Sequence, residues 1–361
     1  MIDSDDYKQI FLTDAPLIDT RAPIEFAKGA FPNAVNMPLM TDAERARVGT
    51  CYKQNGQEAA IVLGHKLVAG TVKDERVQAW VEFAQQNPQG LIYCFRGGLR
   101  SRTSQQWLAD AGVNYPRVIG GYKAMRTFLI EVIEQAASEC QFTVLSGLTG
   151  TGKTDVLVPM AQAFDLEGLA NHRGSSFGKH VSAQPNQIDF ENKLAITLLK
   201  MREAGIQNFF VENESRTIGS CAVPLALYNR MQQAPMVVLT ASLADRVERV
   251  LRDYVVQLRV EFVTAYGPEQ GDLAYSEHLQ QNLRSISKRL GGENYQRLES
   301  IMQAALEQQL KHEQVDTHRL WIQALLEEYY DPMYHYQQQK NKERVRFAGS
   351  VEEVQAYLQS N

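Results

Sequence analysis

Twice in this chain a short apolar run breaks into a glycine-rich turn, and a helical pattern follows. The first case is LIYCFRGGLRS at 91–101; the second is FTVLSGLTGTGKTDVL at 142–157. An apolar strand that feeds a helix through a tight turn is the repeating unit of a parallel sheet with right-handed crossovers. Ligands in such sheets bind beyond the carboxyl ends of the strands, so both turns are candidate sites. Each also has what an anion seeks: glycines that let backbone N–H groups converge, and cationic side chains close by. One turn holds a thiol and the other does not.

The flanking residues supply elements for two sheets. PLIDTR (16–21), NAVNMPL (33–39), GLIYCF (90–95) and PRVIGGY (116–122) read as strands. Between them, Thr41 with Glu44 predicts a capped helix start, VQAWVEFAQQN (77–87) has helical spacing, and SRTSQQWLADAG (101–112) predicts a helix ended by Gly112. A helix at 125–140 leads out of this unit. The pattern then restarts with a strand at 142–146, helices at 153–164 and 192–204, and strands at 208–213 and 236–241. Ser242 with Asp245 predicts another capped helix, residues beyond about 260 read mostly as helices, and Ser350 with Glu353 caps a last one. The 361 residues are long for one core, so two domains are expected, 1–136 and 137–361.

Composition removes several classes. No apolar run reaches 18 residues, so no membrane span is expected. The start, MIDSDDYKQI, is acidic and lacks the apolar stretch of a signal peptide. Cys51, Cys94, Cys140 and Cys221 are scattered without a CxxC pair, which argues against zinc or disulfides and fits a reducing cytoplasm. The net charge is −5, and acids and bases are equal in number up to residue 136. A nucleic-acid partner would therefore need a local basic patch.

In the first turn, Cys94 ends a strand and Ser101 opens a helix. Gly97 and Gly98 permit inward N–H groups, the helix start adds positive potential, and Arg96 and Arg100 bring guanidinium groups. Such surroundings favour a thiolate and predict a reactive Cys94 with a lowered pKa, whereas the other three cysteines read as structural. Spacing alone leaves two chemistries open: sulfur or selenium transfer, and the phosphoryl chemistry of cysteine phosphatases. Those phosphatases usually place a histidine where this chain has Tyr93.

In the second turn, Gly147, Gly152, Lys153 and Thr154 match G-x-x-x-x-G-K-[ST], with Gly150 between them. Backbone amides would cradle a polyphosphate, Lys153 would reach it as a point charge, and Thr154 could hold Mg²⁺. Glu212 ends the strand NFFVE, where such proteins keep a metal-orienting acid. The polar segment LEGLANHRGSSFG (166–178) offers His172 and Arg173 to phosphate. Arg246, Arg249 and Arg252 fall on one helical face, whose commoner reading is a solvated surface.

LIDTRAPIEFAKGAFPNAVNMPL and RVIGGYKAM resemble the two signatures of the rhodanese family of sulfurtransferases, over roughly residues 10–130. That resemblance implies that Cys94 carries a chalcogen. With GLTGTGKT, DLEGLANHRGSSFG, VENESRTIG, KRLGG and YYDPMYHYQ added, the whole chain is similar to the tRNA 2-selenouridine synthase family. The fold class this implies is α/β: a rhodanese-like parallel-sheet domain, then a P-loop NTPase-like domain with a helical C-terminal region. The implied activity has two steps. Wobble 2-thiouridine in the tRNA anticodon loop is S-geranylated from geranyl diphosphate held at the P-loop, and selenium from selenophosphate then replaces the S-geranyl group with the help of Cys94. No tightly bound cofactor is expected, and a selenophosphate-producing enzyme is a conceivable partner. Arg284, Lys288, Arg289 and Arg297 in LRSISKRLGGENYQR are the best basic cluster for tRNA phosphates, followed by KNKERVR at 340–346. Three readings compete: a P-loop kinase with a regulatory rhodanese module, a tRNA-binding or sulfur-relay scaffold, and a cysteine phosphatase fusion.

Overall fold

In the computed structural model, which describes residues 3–360, the strand Leu17–Asp19 (β1) lies between Ala34–Asn36 (β2) and Leu91–Tyr93 (β3) and pairs with both in parallel. Met1 and Ile2, the start of the acidic N-terminal stretch, and Asn361 lie outside it. One core of this unit gathers Ile18, Val68, Trp80, Ile92, Trp107 and Leu108. The capping box at Thr41 is formed: Glu44 N–H donates to Thr41 Oγ1 at 3.3 Å, and Thr41 N–H donates to Glu44 Oε2 at 2.7 Å. The helical run it opens, Asp42–Leu67, kinks at Gly56, where φ is +87°.

Residues 116–122, expected as a strand, form only single bridges, Ile92 to Arg117 and Ser4 to Val118. Gly120 and Gly121, at φ +69° and +59°, turn the chain at once into the helix Gly121–Glu139. A Cβ on Gly121 would stand 2.2 Å from the Cys94 carbonyl oxygen, so this turn is pressed against the thiol loop rather than extended beside it.

The first compact unit runs to Gln135 and also takes in Asn186–Glu203. The helix Gln187–Glu203, read from sequence with the second part, therefore packs in the first. Its Asp189 accepts from Ala30 N–H at 2.7 Å, and Asn192 donates to the Ala30 carbonyl at 2.7 Å. Arg126 donates to Asn192 Oδ1 at 2.9 Å and pairs with Glu191. Phe190, Leu194, Ala195 and Leu198 on this helix are fully buried.

The second unit, Ala136–Pro185 with Ala204 onward, is built on a four-stranded parallel sheet. Gln141–Gly147 (β4) pairs with Asn208–Glu212 (β5), setting Leu145 beside Glu212. A two-stranded ribbon follows, Thr217–Ile218 (β6) and Cys221–Ala222 (β7). Met236–Leu239 (β8) flanks β4 on its other side, and Val345–Gly349 (β9) closes the order β5-β4-β8-β9. The sequence reading missed β9 because VRFAG is brief and follows the charged run KNKER. What holds it is long-range: Val237 to Leu239 pair with Phe347 to Gly349, and Phe347 stacks on Tyr357 at 4.5 Å.

The helix after the P-loop spans only Lys153–Leu157, not 153–164. Val158 still has helical angles and donates to the Thr154 carbonyl at 2.9 Å, but Pro159 has no amide N–H to carry the ladder on, so the helix stops there. Ser242 caps Leu243–Leu251 by accepting from Asp245 N–H at 3.1 Å. Two π-helical stretches, Arg252–Gln257 and Leu326–Tyr330, interrupt the helical region. Its core includes Val255, Leu258, Tyr275, Leu298, Met302 and Trp321. Among the described residues no helix is long and apolar enough to cross a membrane.

Candidate functional sites

At the first loop, β3 delivers Cys94 and the helix Leu99–Asp110 begins five residues later. Cys94 is 2 % exposed, and its Sγ lies 3.2 Å from Ser101 Oγ. The loop is clamped from behind. Tyr122 N–H donates to the Cys94 carbonyl and Lys123 N–H to the Phe95 carbonyl, both at 2.9 Å, and Arg117 donates to the Gly97 carbonyl. Gly97 has φ +61°, and a Cβ there would meet Gly120 N at 2.8 Å.

Beneath the loop lies a buried charge network. Asp19 and Arg21 pair at 2.6 Å, and the Tyr93 hydroxyl donates to Asp19 Oδ2 at 2.8 Å. The Arg21 guanidinium sits 3.8 Å over the Tyr122 ring. Burial works against the Arg21 charge, but Asp19 outweighs it and holds the pKa above its usual value.

The two loop arginines differ. Arg100, expected to serve the thiol, is paired with Glu25 at 2.5 Å, and Arg45 joins the same carboxylate at 3.0 Å. Burial raises the Glu25 pKa, yet the Arg100 hydrogen bond and charge bring it below the ordinary value. The reason is the chain's own acid: Glu25 follows Pro23 on a short helix that faces the loop, a pairing invisible at a separation of 75 residues. Arg96 stays exposed and, with Arg100 and Gly98, borders a cleft of about 950 Å³ that reaches Tyr52, His65 and Trp107.

At the second loop, β4 ends in Gly147 and the turn closes at Gly152 with φ +90°, where a Cβ would stand 3.1 Å from Arg249 Nε. The loop borders a cleft of about 430 Å³ that holds Lys153, Thr154, Glu167, Arg173, Glu214 and Arg249. Thr154 donates to Glu212 Oε1 at 2.6 Å, joining the loop to the end of β5. Glu212 is 1 % exposed, and its Oε2 has no partner. The second guanidinium nitrogens of Arg173 and Arg249 (Nη1 in each) and His172 Nδ1 are likewise buried and unpartnered. Arg173 also pairs with Glu261 at 3.1 Å and lies 5.6 Å from the Tyr254 ring centre.

Glu167, Glu212 and Glu214 bring carboxylate oxygens within 4.8 Å of one another. Burial pushes all three pKa values up. The charges of Glu212 and Glu214 add to the rise at Glu167, whereas Lys153 pulls the other two back without reversing it. Burial also opposes the Lys153 charge, but Tyr334 and these carboxylates raise its pKa above the ordinary value.

The arginine face read as solvated turns toward this loop instead. Arg246 is 3 % exposed, donates to the Thr149 carbonyl at 2.9 Å and forks onto Asp331 at 2.9 and 2.5 Å. Arg249 and Arg252 line the cleft, Arg252 paired with Asp155 at 3.2 Å and Asp253 at 2.6 Å. The reading failed because a three-residue spacing marks a face without saying what that face meets. Glu167, Glu214 and Arg249 were also missed as site members. Their only trace was acids and bases clustered in DLEGLANHRG, VENES and ADRVERVLRDY.

Of the basic cluster assigned to tRNA, Arg284, Lys288 and Arg289 are exposed, but Arg297 pairs with Glu328. Arg344 in the second basic run is spent internally, donating to the Ala234 and Met231 carbonyls.

A parallel sheet, a glycine turn with Lys153 and Thr154, and a strand-end carboxylate bonded to that threonine define a P-loop protein of the α/β class. Residues 140–361 match the family described as tRNA 2-selenouridine synthase AAA domain. The tRNA 2-selenouridine synthase of Pseudomonas syringae pv. syringae (strain B728a) is 61% identical over 98% of this chain and 97% of its own. Those of Pseudomonas putida (strain GB-1) and Azotobacter vinelandii (strain DJ / ATCC BAA-1303) are 59% and 58% identical over 99% of this chain and 97% and 96% of theirs. The chain belongs to the tRNA 2-selenouridine synthase family.

Proposed function

We propose that this chain converts 2-thiouridine to 2-selenouridine at the wobble position of tRNA in two transfers divided between its loops. At the P-loop, the thiocarbonyl sulfur takes the geranyl group and pyrophosphate departs. At the thiol loop, Cys94 helps deliver selenium from selenophosphate to C2 of the base; geranylthiol leaves C2, and water takes the phosphoryl group, which departs as inorganic phosphate. The observation that carries this reading is the set of unpartnered cationic atoms around Lys153: Arg173 Nη1 and Arg249 Nη1 point to an anion that the protein alone does not supply. Backbone amides and Lys153 would bind the diphosphate and stabilise its growing charge as the bond to carbon breaks. The oxygen donors Thr154 Oγ1 and Glu212, with the orphaned Glu212 Oε2, fit Mg²⁺, which when bound would neutralise the departing pyrophosphate.

A wobble base lies in a single-stranded loop, which proteins read by stacking and backbone contacts. Arg289 and Lys340 border a groove of about 600 Å³ with Tyr329 and Tyr336, and Lys340 Nζ stands 4.5 Å from the Tyr336 ring centre. Aromatic faces beside cations support nucleotide binding there.

Mass spectrometry of tRNA nucleosides tests the division of labour, with geranyl diphosphate and selenophosphate supplied. Lys153→Ala should abolish S-geranylation. Cys94→Ser should accumulate S-geranyl-2-thiouridine and form no 2-selenouridine. Selenation by Cys94→Ser at the wild-type rate would refute the role given to the thiol.

A further inference from the structure

We infer that His180, oriented by Glu261, is the base that takes the N3 proton of 2-thiouridine as its sulfur attacks the geranyl carbon. This role rests on the proposed function and deepens it, because S-alkylation cannot finish while that proton stays. In 2-thiouridine the C2=S group is flanked by N3–H. As the sulfur bonds to C1 of the geranyl group, the C1–O bond breaks and pyrophosphate leaves with its electron pair. N3 gives up its proton, and a C2=N3 double bond forms in place of C2=S. The neutral product therefore needs a proton acceptor beside the diphosphate.

A closed turn sets His180 in place. Arg173 N–H donates to the Gly178 carbonyl at 2.8 Å, and His172 and Lys179 form an antiparallel bridge. Gly178 lets the turn close, since a Cβ there would stand 2.8 Å from the Arg173 carbonyl carbon. His180 then borders the cleft of about 430 Å³ that also holds Lys153 and Thr154. Against it, the helix Leu258–Tyr266 sets Glu261, whose Oε2 and Oε1 lie 3.0 and 3.2 Å from His180 Nδ1. A carboxylate only accepts, so Nδ1 carries the ring proton and Nε2 keeps the lone pair. Among the described residues Nε2 has no partner, which leaves it to meet a substrate. A carboxylate behind an imidazole fixes the tautomer and stabilises the imidazolium that forms on proton transfer.

Arg173 ties this pair to the leaving group. Its Nη2 donates to Glu261 Oε1 at 3.1 Å, while Nη1 is buried without a partner. One planar guanidinium thus braces the carboxylate behind the base and keeps a second nitrogen for the diphosphate. The other groups near His180 are poorer bases. Burial lowers the His172 pKa, and the charges of His180 and Lys179 add to the fall. His278, on the helix Pro268–Ser285, is pushed down to about 4 by burial and Lys179, with Glu261 opposing. Of the cleft's acids, Glu167 is lifted to about 10 by burial and by Glu212 and Glu214, so it already holds a proton at neutral pH. Glu214 shares a hydrogen bond with it.

The test is single-turnover geranyl transfer by the full-length protein, from geranyl diphosphate to an anticodon stem–loop RNA carrying 2-thiouridine, with selenophosphate left out. His180→Gln should slow transfer about 100-fold at pH 7, the size expected for loss of a general base. Its affinity for geranyl diphosphate and its circular dichroism spectrum should be unchanged. At pH 9.5 the thiouracil N3–H ionises without help, so the deficit against the wild type at that pH should shrink to about fivefold or less. Glu261→Gln keeps a hydrogen-bond acceptor but not the charge; it should slow transfer about tenfold at pH 7 and recover in the same way. Arg249→Ala, which acts on the diphosphate instead, should show one deficit at both pH values. Wild-type speed in His180→Gln at pH 7, or a deficit as large at pH 9.5 as at pH 7, overturns the role given to His180. No geranyl transfer by the wild type at either pH would refute the proposed function itself, and this role with it.

Discussion

In the thiol loop the charges nearest the strand end are already matched, Arg21 with Asp19 and Arg100 with Glu25. In the P-loop cleft, Glu212 Oε2, Arg173 Nη1, Arg249 Nη1 and His172 Nδ1 are buried without partners. Both loops are glycine turns at the ends of parallel strands, yet beside the first the orphan is Arg117 Nε, whereas around the second four such atoms gather. A matched buried network fixes geometry and contributes stability, whereas unmatched buried groups cost stability until a ligand satisfies them. The first loop thus holds the Cys94 sulfur in a fixed frame, whereas the second leaves several buried polar atoms unmatched by its own chain.

The largest expected effect tests that contrast directly. Arg21→Met leaves Asp19 charged and unpaired in the interior and should cost about 3–5 kcal/mol in urea unfolding. Arg249→Ala should stay within about 0.5 kcal/mol of the wild type in the same assay. It should instead weaken binding of a diphosphate analogue about tenfold or more, as expected for the loss of a charged hydrogen bond worth roughly 1.5–3 kcal/mol. Equal stability losses in the two variants would erase the distinction.

A second effect separates the unit that carries the P-loop by its response to acid. His318 is fully buried, and its Nδ1 accepts from Trp321 Nε1 at 2.9 Å, so the ring is neutral and burial lowers its pKa to about 4. The unfolded chain takes up a proton near its ordinary value of about 6.5 while the folded one refuses it. The stabilisation is therefore present above that value and is lost as pH falls toward about 4, up to roughly 3 kcal/mol. Melting followed by tryptophan fluorescence between pH 7 and 4.5 should show this slope, and His318→Gln should flatten it.

The smallest effect concerns the exposed cations outside both loops. Lys288→Ala/Arg289→Ala should reduce the slope of log affinity for tRNA against log salt by about 1.4, taking ~0.7 per phosphate contact. An unchanged slope removes them from the footprint.

Much of this architecture could be read in advance. The strands β1, β3, β4, β5 and β8, the capping boxes at Thr41 and Ser350, the Ser242 N-cap and the P-loop all announce themselves within a few neighbouring residues. What could not be read depends on distant partners. β9 exists because β8 offers it an edge, and Arg100 is occupied because Glu25 folds beside it. Arg246 is buried because Asp331, 85 residues away, receives it. The acid cage has the same origin: Glu212 closed a recognisable strand, while Glu167 and Glu214 gained meaning only when two loops met. The truncated helix after Lys153 is a different kind of miss, since Pro159 was in plain view.

The helix Gln187–Glu203 has a consequence for how this protein is made. A ribosome delivers the chain from its beginning, and the first unit lacks that helix until residue 203 has been synthesised. At ~5–20 residues per second the wait between residues 135 and 203 is roughly 3–14 seconds. During it, the surface destined for Phe190, Leu194 and Leu198 stays bare, and the P-loop strand is translated before the thiol unit can close. A stop codon placed at the apparent border near residue 136 would yield a fragment permanently caught in that unfinished state.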